Sequence, residues 1–435
     1  MADIEKEKSI YVGEIGGKEG EKVFLEGWIH ELRDLAKVKF FLLRDNSGIV
    51  QCVIKNEKLF DLFSRLTLET VVAVRGKIRK AQVKSKEVLN NKIEVEVEDL
   101  DVINKAEALP IQVVEKGIST ELAKRLDYRS IDLRKARIKA IFTIESEIAH
   151  SFREFFYNNG FTEIQPPCII ATASEGGTAL FPVQYFEKKA YLAQSPQLYK
   201  QMAAIALEKV TCIVPVWRAE KHNTIRHLNE SRQMDIEVAF VDDMEVMKYL
   251  EDCVKFIVSN VIEKCKKELE ILNLNLKVPK AKYLSYDETI SLLQKKKVDI
   301  KHGDDLSPEA EKKLEELFPN TIVFVHSWPM KLKPFYIWPK DEKQGISAGF
   351  DALFGGIEIS SGGQRVHKAD VLIRQLKDKG LNPEHFKSYV DAFRYGAPYH
   401  SGWSIGLERF TMALLKLDNI REACIWPRDR DRLTP

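Results

Sequence analysis

The feature that most limits the fold is a change of hydrophobic period near residue 105. Before it, apolar residues come in short runs: VFLEGWIHEL, VKFFLLRD, IVQCVI, TVVAVRGKIRK and IEVEVEDLDVIN. The runs are rich in β-branched and aromatic residues, and polar turns such as Asp45-Asn46-Ser47-Gly48 separate most of them. IEVEVEDL alternates strictly, as a half-buried strand does. One helical segment, EKLFDLFSRL, falls between the third and fourth runs. Five strands with a helix after the third is the order of an OB-fold barrel, a platform for single-stranded nucleic acid, although other small barrels share it. After the change, IKAIFTIESEIAHSFREFFYNNG (Ile138 to Gly160) repeats at helical spacing and stops on Asn159-Gly160, a C-cap signal. Beyond it, strands such as KVTCIVPVWRAE and MDIEVAFV mix with helices without regular βαβ alternation. An antiparallel α+β domain is therefore expected rather than a doubly wound sheet. The expected parts are a barrel over 1–104, a connector over 105–130 containing Leu109-Pro110, and an α+β domain over 131–435.

A chain of 435 residues is too long for one ordinary core, which agrees with this division. The net charge is only +2, so a nucleic-acid surface has to be a local patch. The Lys-rich tract LLQKKKVDIKHGDD reads as a solvated face. The six cysteines are scattered without a C-x-x-C pair, which argues against a structural zinc or a disulfide framework and for a reducing, cytoplasmic setting. The N-terminus MADIEKEKSIYVG lacks the apolar core of a signal peptide, and no apolar run reaches the ~18 residues of a membrane span.

Several charged residues sit where charge is expensive. In YLAQSPQLYKQMAA, Ser195, Gln197 and Lys200 interrupt what otherwise reads as a strand running into a helix. A buried lysine costs several kcal/mol unless it is paired, so Lys200 either points at water or awaits an anion. In VWRAEKHNTIRHLNESRQMDIEVAF, Arg218 and Asp235 lie inside the apolar flanks of a densely ionic hairpin that also carries Glu220, Arg226 and His227. In GIEISSGGQRVH, Glu358 and the nearby Asp351 are acids of the kind that hold Mg²⁺ on a phosphate chain. There Gly362-Gly363 admits close backbone approach, and Arg365 follows. GWSIGLERFTMALLKL places Arg409 in the first turn of a helix. No convincing nucleophile–base pair accompanies them.

Taken in order, GFTEIQPP, RAE…RHLNE…D and GLER resemble motifs one, two and three of the class II aminoacyl-tRNA synthetases. ASEGGTALFPVQYF, LAQSPQLYKQ, KPFY, EISSGGQR and the terminal PRDRDRLTP narrow the resemblance to the archaeal and eukaryotic-type aspartyl-tRNA synthetases of subclass b. It runs from about Lys22 to Pro435 and is weakest over about 265–321. It implies an N-terminal OB-fold anticodon-binding domain and a class II catalytic domain on an antiparallel sheet. The implied enzyme is a cytoplasmic homodimer, joined through the motif one helix and strand. The implied reaction joins L-aspartate to ATP as aspartyl-adenylate, releases pyrophosphate, and passes the aspartyl group to the 3′ end of tRNA-Asp. Such chemistry needs positioning and charge neutralisation more than a covalent nucleophile.

The resemblance also implies roles. Arg218 would bridge the substrate carboxylate and the α-phosphate. Arg226, His227 and Arg409 would hold the β- and γ-phosphates, Arg409 also flanking adenine. Asp351, Glu358 and Ser361 would hold Mg²⁺, and Glu220 would sit by the adenine or the tRNA end. Lys200 and Arg365 would grip the side-chain carboxylate of aspartate, and Glu175, Ser195, Gln197 and Asp235 would receive its ammonium. Glu175 belongs to TASEGGTALF, which resembles a loop that closes over the amino acid, with Gly176-Gly177 suited to a hinge. In the barrel, Phe40, Gln51 and Glu94 match positions that stack on or read anticodon bases. Packing pattern alone would place Phe40 in the core. His30 stands where several enzymes that also charge tRNA-Asn carry histidine, which leaves tRNA-Asn open as a second substrate. The segment KAQVKSKEVLN, linked to the same trait, matches neither type.

Two departures stand out. Ser231-Arg232 replaces an aromatic that family members place against adenine, with the Arg232 guanidinium plane as a substitute. Ser404 replaces a glycine of motif three. The rival readings are an asparaginyl-type enzyme, an aspartate-activating paralogue that needs no tRNA, and a catalytically silent tRNA-binding protein. Lys200 speaks against the first, Phe40 and Gln51 against the second. Intact Arg218, Arg409, Asp351 and Glu358 speak against the third.

Overall fold

The computed structural model describes residues 9–114, 120–171 and 180–435. Two compact units, Met1–Lys124 and Arg125–Pro435, are each considered by themselves.

The first unit is a closed barrel of β1 (Lys22–Leu35), β2 (Val38–Arg44), β3 (Ile49–Ile54), β4 (Val71–Lys80) and β5 (Ile93–Asn104), in the order β1-β2-β3-β5-β4. Only β3 and β5 pair in parallel, Cys52 opposite Val95; the other ladders are antiparallel. A short helix, Phe60–Ser64, follows β3, and its Phe63 joins the barrel core of Leu25, Phe41, Cys52, Val74 and Val95. The strand alternation produces this core. In β3, Val50, Cys52 and Ile54 point in while Ile49, Gln51 and Val53 stay outside it. Phe40 is half-buried on the outer surface, and its neighbour Phe41 fills the core instead.

β1 breaks the alternation once. A bulge between Ile29 and Glu31 leaves His30 without a partner on β2, and Ile29 and His30 are both buried. The barrel also curves tightly at Gly76, where an added Cβ would lie 2.4 Å from the Glu96 carbonyl oxygen.

The second unit holds β6 (Thr162–Glu163), β7 (Ile169–Ile170), β8 (Pro182–Tyr185), β9 (Lys188–Leu192), β10 (Lys209–Trp217), β11 (Glu230–Ala239), β12 (Lys280–Ser285), β13 (Thr321–His326), β14 (Pro339–Asp341), β15 (Ile346–Ser347), β16 (Gly349–Phe354), β17 (Ile357–Gln364) and β18 (His400–Gly406). Its main sheet has eight strands in the order β12-β13-β16-β17-β18-β11-β10-β6. The pairs from β13 to β10 are antiparallel, whereas β12–β13 and β10–β6 at the two ends are parallel, so the sheet is mixed rather than purely antiparallel.

Two long helices cover one face. In Ala136–Asn158, Ile141, Ile144, Ile148, Phe152 and Phe156 form an apolar stripe at three- and four-residue spacing, and the chain turns at Gly160 (φ +76°). In Asp243–Lys264, Val246, Leu250, Val254, Ile257 and Val261 do the same, behind a capping box made by Asp242 and Glu245. Both stripes meet Met234, Ile236, Ile359, Trp403 and Ile405 of the sheet. The alternate residues of these strands are left to the opposite face. No helix among the described residues is long and apolar enough to cross a membrane.

Replacing Gly76 by alanine should cost the first unit about 1–3 kcal/mol, since the new methyl meets backbone that cannot retreat. Thermal unfolding of the full chain should show a lowered transition.

Candidate active site

The face of the main sheet opposite the two long helices carries a cross-strand row. Asp351 on β16 lies opposite Ser361 on β17, Ser361 opposite Ser404 on β18, and Ser404 opposite Asp235 on β11. A bulge in the β16–β17 ladder makes this possible. Leu353 pairs with Glu358 and Ala352 with Ser360, so Ile359 is the extra residue. The phase shift brings both Glu358 and Ser361 to the cavity side. Above the row is a cavity of about 350 Å³, lined by Ser195, Gln197, Lys200, Arg218, Glu220, Arg226, His227, Asp235, Asp351, Glu358, Ser361, Arg365 and Arg409. These residues come from segments more than two hundred positions apart. Glu175 and Gly176-Gly177 lie outside the described residues.

Lys200 is neither open to water nor waiting for its first anion. Its Nζ donates to Asp235 Oδ1 at 2.6 Å and to the Trp403 carbonyl at 3.1 Å, with Glu237 Oε2 at 3.6 Å. Arg365 donates through Nε and Nη2 to the two oxygens of Glu237, at 2.8 and 3.3 Å, and its guanidinium sits 5.5 Å from the Tyr336 ring. All four charged groups are buried, and two cations balance two carboxylates. Burial pushes the Asp235 carboxyl up, against the pull of Lys200. Burial also works against the charge on Glu237, but Arg365 and then Lys200 outweigh it and hold that carboxyl below its usual range. The backbone leaves room for this group at Gly402, where a Cβ would meet Glu237 Oε2 at 2.1 Å.

Asp235 is thus occupied differently from the expected ammonium acceptor: Lys200 takes one oxygen and Ser404 Oγ donates to the other at 3.0 Å. The serine that replaces a motif three glycine therefore has a hydrogen-bonding task. Ser195 and Gln197 are buried beside the cavity, and Gln197 is tied to Gln201. Gln233 Oε1 is buried at the same cavity with no hydrogen-bond partner among the described residues.

At the acidic end, Lys333 Nζ donates to Asp351 Oδ2 at 2.6 Å and lies 4.3 Å from the Trp328 ring. Desolvation, and then the Asp351 charge, push Glu358 up to about 7. Two crowded carboxylates beside the Ser361 hydroxyl form a hard oxygen donor set suited to Mg²⁺. Arg409 Nη1 donates to the Glu358 carbonyl at 3.2 Å, and the two side chains approach to 4.0 Å.

The loop from Arg218 to Asn229 is braced rather than loose. Asn229 Nδ2 donates to the carbonyls of Arg218 and Glu220 at 2.7 and 3.0 Å. The terminal PRDRDRLTP holds it from outside. Asn223 Nδ2 donates to Asp431 at 2.6 Å, and Arg430 Nη1 donates to the Lys221 carbonyl at 2.9 Å. His227 Nδ1 is 2.6 Å from Thr224 Oγ1, and burial, then Arg409, lower its pKa, which favours the neutral ring. Glu220, His222 and His227 offer donor atoms within 4.8 Å of one another, a second group able to hold a cation. Ser231, not Arg232, lines the cavity; Arg232 turns to Glu230 at 3.0 Å, so its guanidinium does not replace the missing aromatic.

In the barrel, Phe40, Gln51 and Glu94 share the outer surface of β2, β3 and β5, and Gln51 Nε2 donates to Glu94 at 2.7 Å. His30 is held from both sides, with Arg44 Nη1 2.8 Å from Nδ1 and Glu87 3.2 Å from Nε2. Arg44 also makes a forked pair with Glu69 at 2.8 and 2.7 Å. Burial, then Arg44, keep the His30 pKa low. Neutral imidazole with its proton on Nε2 satisfies both neighbours.

The sequence motifs alone do not single out Glu237 or Lys333. Glu237 was detectable, because it shares the face of Asp235 in the alternation MDIEVAF. Lys333 lies in KPFY, but nothing local pairs it with Asp351.

Residues 121–430 match the family model of tRNA synthetases class II (D, K and N), and residues 23–103 match an OB-fold nucleic acid binding domain. The chain is 44% identical over 425 residues to the aspartate–tRNA(Asp/Asn) ligase of Archaeoglobus fulgidus, covering 96% of this chain and 97% of that one. It is 46% identical over 432 residues to the aspartate–tRNA(Asp) ligase of Thermococcus kodakarensis, with 96% and 97% covered. The asparaginyl-tRNA synthetase of Pyrococcus horikoshii, solved with asparaginyl-adenylate, superposes with a TM-score of 0.91 at 34% identity, over 98% of this chain and all of that one.

Glu237→Gln removes one side of a buried pair and should destabilise the second unit by about 3–5 kcal/mol near neutral pH. Because the folded pKa of Glu237 lies below its ordinary 4.5, this stabilisation is present above that value and is lost as pH falls through the folded pKa. Urea unfolding of both proteins at a series of pH values should show their difference shrinking in acid.

Proposed function

This chain belongs to the class II tRNA synthetases of the D, K and N group, and from that premise we propose that its cavity activates L-aspartate with ATP and charges tRNA-Asp. The observation that carries the choice of amino acid is the pair of cationic side chains, Lys200 and Arg365, at one end of the cavity. Both are donors only. Their carboxylate partners already balance their charge, but Lys200 has three N–H bonds and spends two on Asp235 and Trp403. A ligand group entering here meets N–H donors and must supply acceptor oxygens. The side chain of aspartate supplies two. The amide of asparagine turns an NH₂ toward donors and leaves them unsatisfied, a loss of about 1–3 kcal/mol. The fold cannot make this distinction, since an asparaginyl enzyme superposes on 98% of the chain.

The remaining groups take roles by position. The orphan Gln233 Oε1, with Ser195 and Gln197, offers acceptors for the substrate ammonium, while Asp235 fixes Lys200. Arg218, at the start of the braced loop, meets the charge that develops between the amino acid carboxylate and the α-phosphate. Arg226, neutral His227 and Arg409 take the outer phosphates, and Glu220 borders the adenine end. Asp351, Glu358 and Ser361 would hold Mg²⁺, which when bound neutralises phosphate charge; Lys333 keeps one Asp351 oxygen engaged and the carboxylate oriented. No side chain acts as a covalent nucleophile, because the attacking group is the amino acid carboxylate itself. In the second half-reaction the terminal ribose hydroxyl of tRNA replaces AMP on the aspartyl carbonyl.

The outer barrel face with Phe40, Gln51 and Glu94 reads the anticodon, the aromatic supplying a stacking surface and the amide a hydrogen-bonding edge. His30, held neutral beside Glu87 and Arg44, supports charging of tRNA-Asn as well. Relatives at similar identity carry both the Asp and the Asp/Asn names, so overall similarity does not separate the two ranges. A homodimer through the 136–158 helix completes the assembly that we propose.

ATP–pyrophosphate exchange should proceed with aspartate and not with asparagine. Lys200→Ala should lower kcat/KM for aspartate on the order of 100-fold or more, since it also strands Asp235 and Glu237. Equal exchange with asparagine would sink the assignment. Charging assays with purified tRNA-Asp and tRNA-Asn should give product with both, and failure with tRNA-Asn would restrict the range to tRNA-Asp.

A further inference from the structure

The helix Pro308–Leu317 lies in the stretch where the motifs are weakest, yet through Glu311 it contacts Arg226, which lines the cavity. Ser307 caps it, with Ala310 N donating to Ser307 Oγ at 3.2 Å, and Pro308 fills its first turn. The helix is seated on the β16–β17 turn, where Gly355 N donates to Glu315 Oε2 at 3.1 Å; the other oxygen, Glu315 Oε1, accepts from Asn320 N in the segment that leaves the helix, at 3.3 Å. One helical turn earlier, Glu311 presents its carboxylate to the same hairpin and accepts a hydrogen bond from the Glu358 backbone N–H. Arg226 Nη1 donates to Glu311 Oε2 at 2.7 Å. Side-chain exposure is 13% for Glu311 and 27% for Arg226, so this is not a solvent-screened surface pair.

From this geometry we propose that Glu311 is a positioning residue of the nucleotide site, which holds the Arg226 guanidinium over the cavity to receive the outer phosphates. The proposal rests on the ATP reading above. Only one guanidinium nitrogen is spent on Glu311, and the others bond to no side chain or carbonyl among the described residues. Arg226 itself lines the cavity, so those donors remain for a ligand. Without a fixed carboxylate, a flexible arginine beside Arg409 and Arg218 would be repelled and would lose rotamer freedom on binding. Glu311 removes both obstacles before the nucleotide arrives, and preorganisation of this kind acts on affinity. The same carboxylate touches the backbone of Glu358, so the helix registers Arg226 against the proposed metal-binding strand.

The test is pyrophosphate exchange with the full chain, varying ATP and aspartate separately. Glu311→Ala should raise KM for ATP about 10-fold, the loss of one charged hydrogen bond, while KM for aspartate and kcat keep wild-type values. Glu311→Gln, which retains an acceptor oxygen at the same reach but not the charge, should recover only part of the effect. In an Arg226→Ala background Glu311→Ala should add nothing. Should Glu311→Ala fail to fold, Glu311→Asp decides: its shorter reach must raise KM for ATP alone. Equal rises for both substrates, additivity with Arg226→Ala, or no change would overturn the proposal and leave the ATP reading intact. A wild-type chain with no aspartate-dependent exchange would sink the ATP reading itself, and this proposal with it.

Discussion

The buried group of Lys200, Asp235, Glu237 and Arg365 is the constraint around which the second unit is arranged. Each charge alone would be prohibitive in that position, and together they cancel. The cancellation sets conditions on distant parts of the chain. β11 must supply both acids on one face, the 197–207 helix must deliver Lys200, and β17 must end so that Arg365 reaches Glu237. Gly402 must lack a side chain, because the Glu237 carboxylate occupies that space. Ser404 then donates to the Asp235 oxygen that Lys200 does not hold. A pocket floored by balanced, paired charges would present donors that need not rearrange for the carboxylate we propose, which is the condition for electrostatic selection without large reorganisation.

The sheet divides labour between its faces by strand alternation. Met234, Ile236, Trp403 and Ile405 bind the two long helices, and their neighbours Gln233, Asp235 and Ser404 are left to the cavity. The β17 bulge at Ile359 changes phase once, and that single irregularity lets Glu358 and Ser361 share the ligand face. Around this rigid floor the rim is assembled from segments far apart in sequence. The terminal peptide braces the Arg218–Asn229 loop, and the 308–317 helix holds Arg226. The geometry of this rim therefore depends on segments far from the strands that form the floor, including a helix that carries no motif of its own.

The barrel shows the same logic on a smaller scale. Its bulge at His30 buries a polar ring between Arg44 and Glu87, with Glu69 anchoring Arg44, while regular alternation puts Phe40 and Gln51 outside the core. Core packing was the simpler expectation for Phe40, and strand phase decided against it: Phe41 is the residue that reaches the barrel axis.

Much was legible in the sequence because it is local. Strand alternation predicted the barrel and its helix after the third strand. The 3.6-residue period predicted the 136–158 helix and its end at Asn159-Gly160, and the ordered motifs predicted the synthetase family. What the sequence could not determine is which charge meets which. Lys200 read as a cation awaiting an anion, because Asp235 and Glu237 lie more than thirty positions away and join it only when β11 packs beside the helix. Lys333 and Asp351, and Arg226 and Glu311, are likewise long-range pairs whose partners no local pattern names. The parallel edges of the sheet were missed for the same reason, since strand direction depends on the path of the connections between strands. Composition and period determine which faces are buried; only the tertiary structure decides how buried charges are paired, because Coulomb energy depends on distance in space and not along the chain.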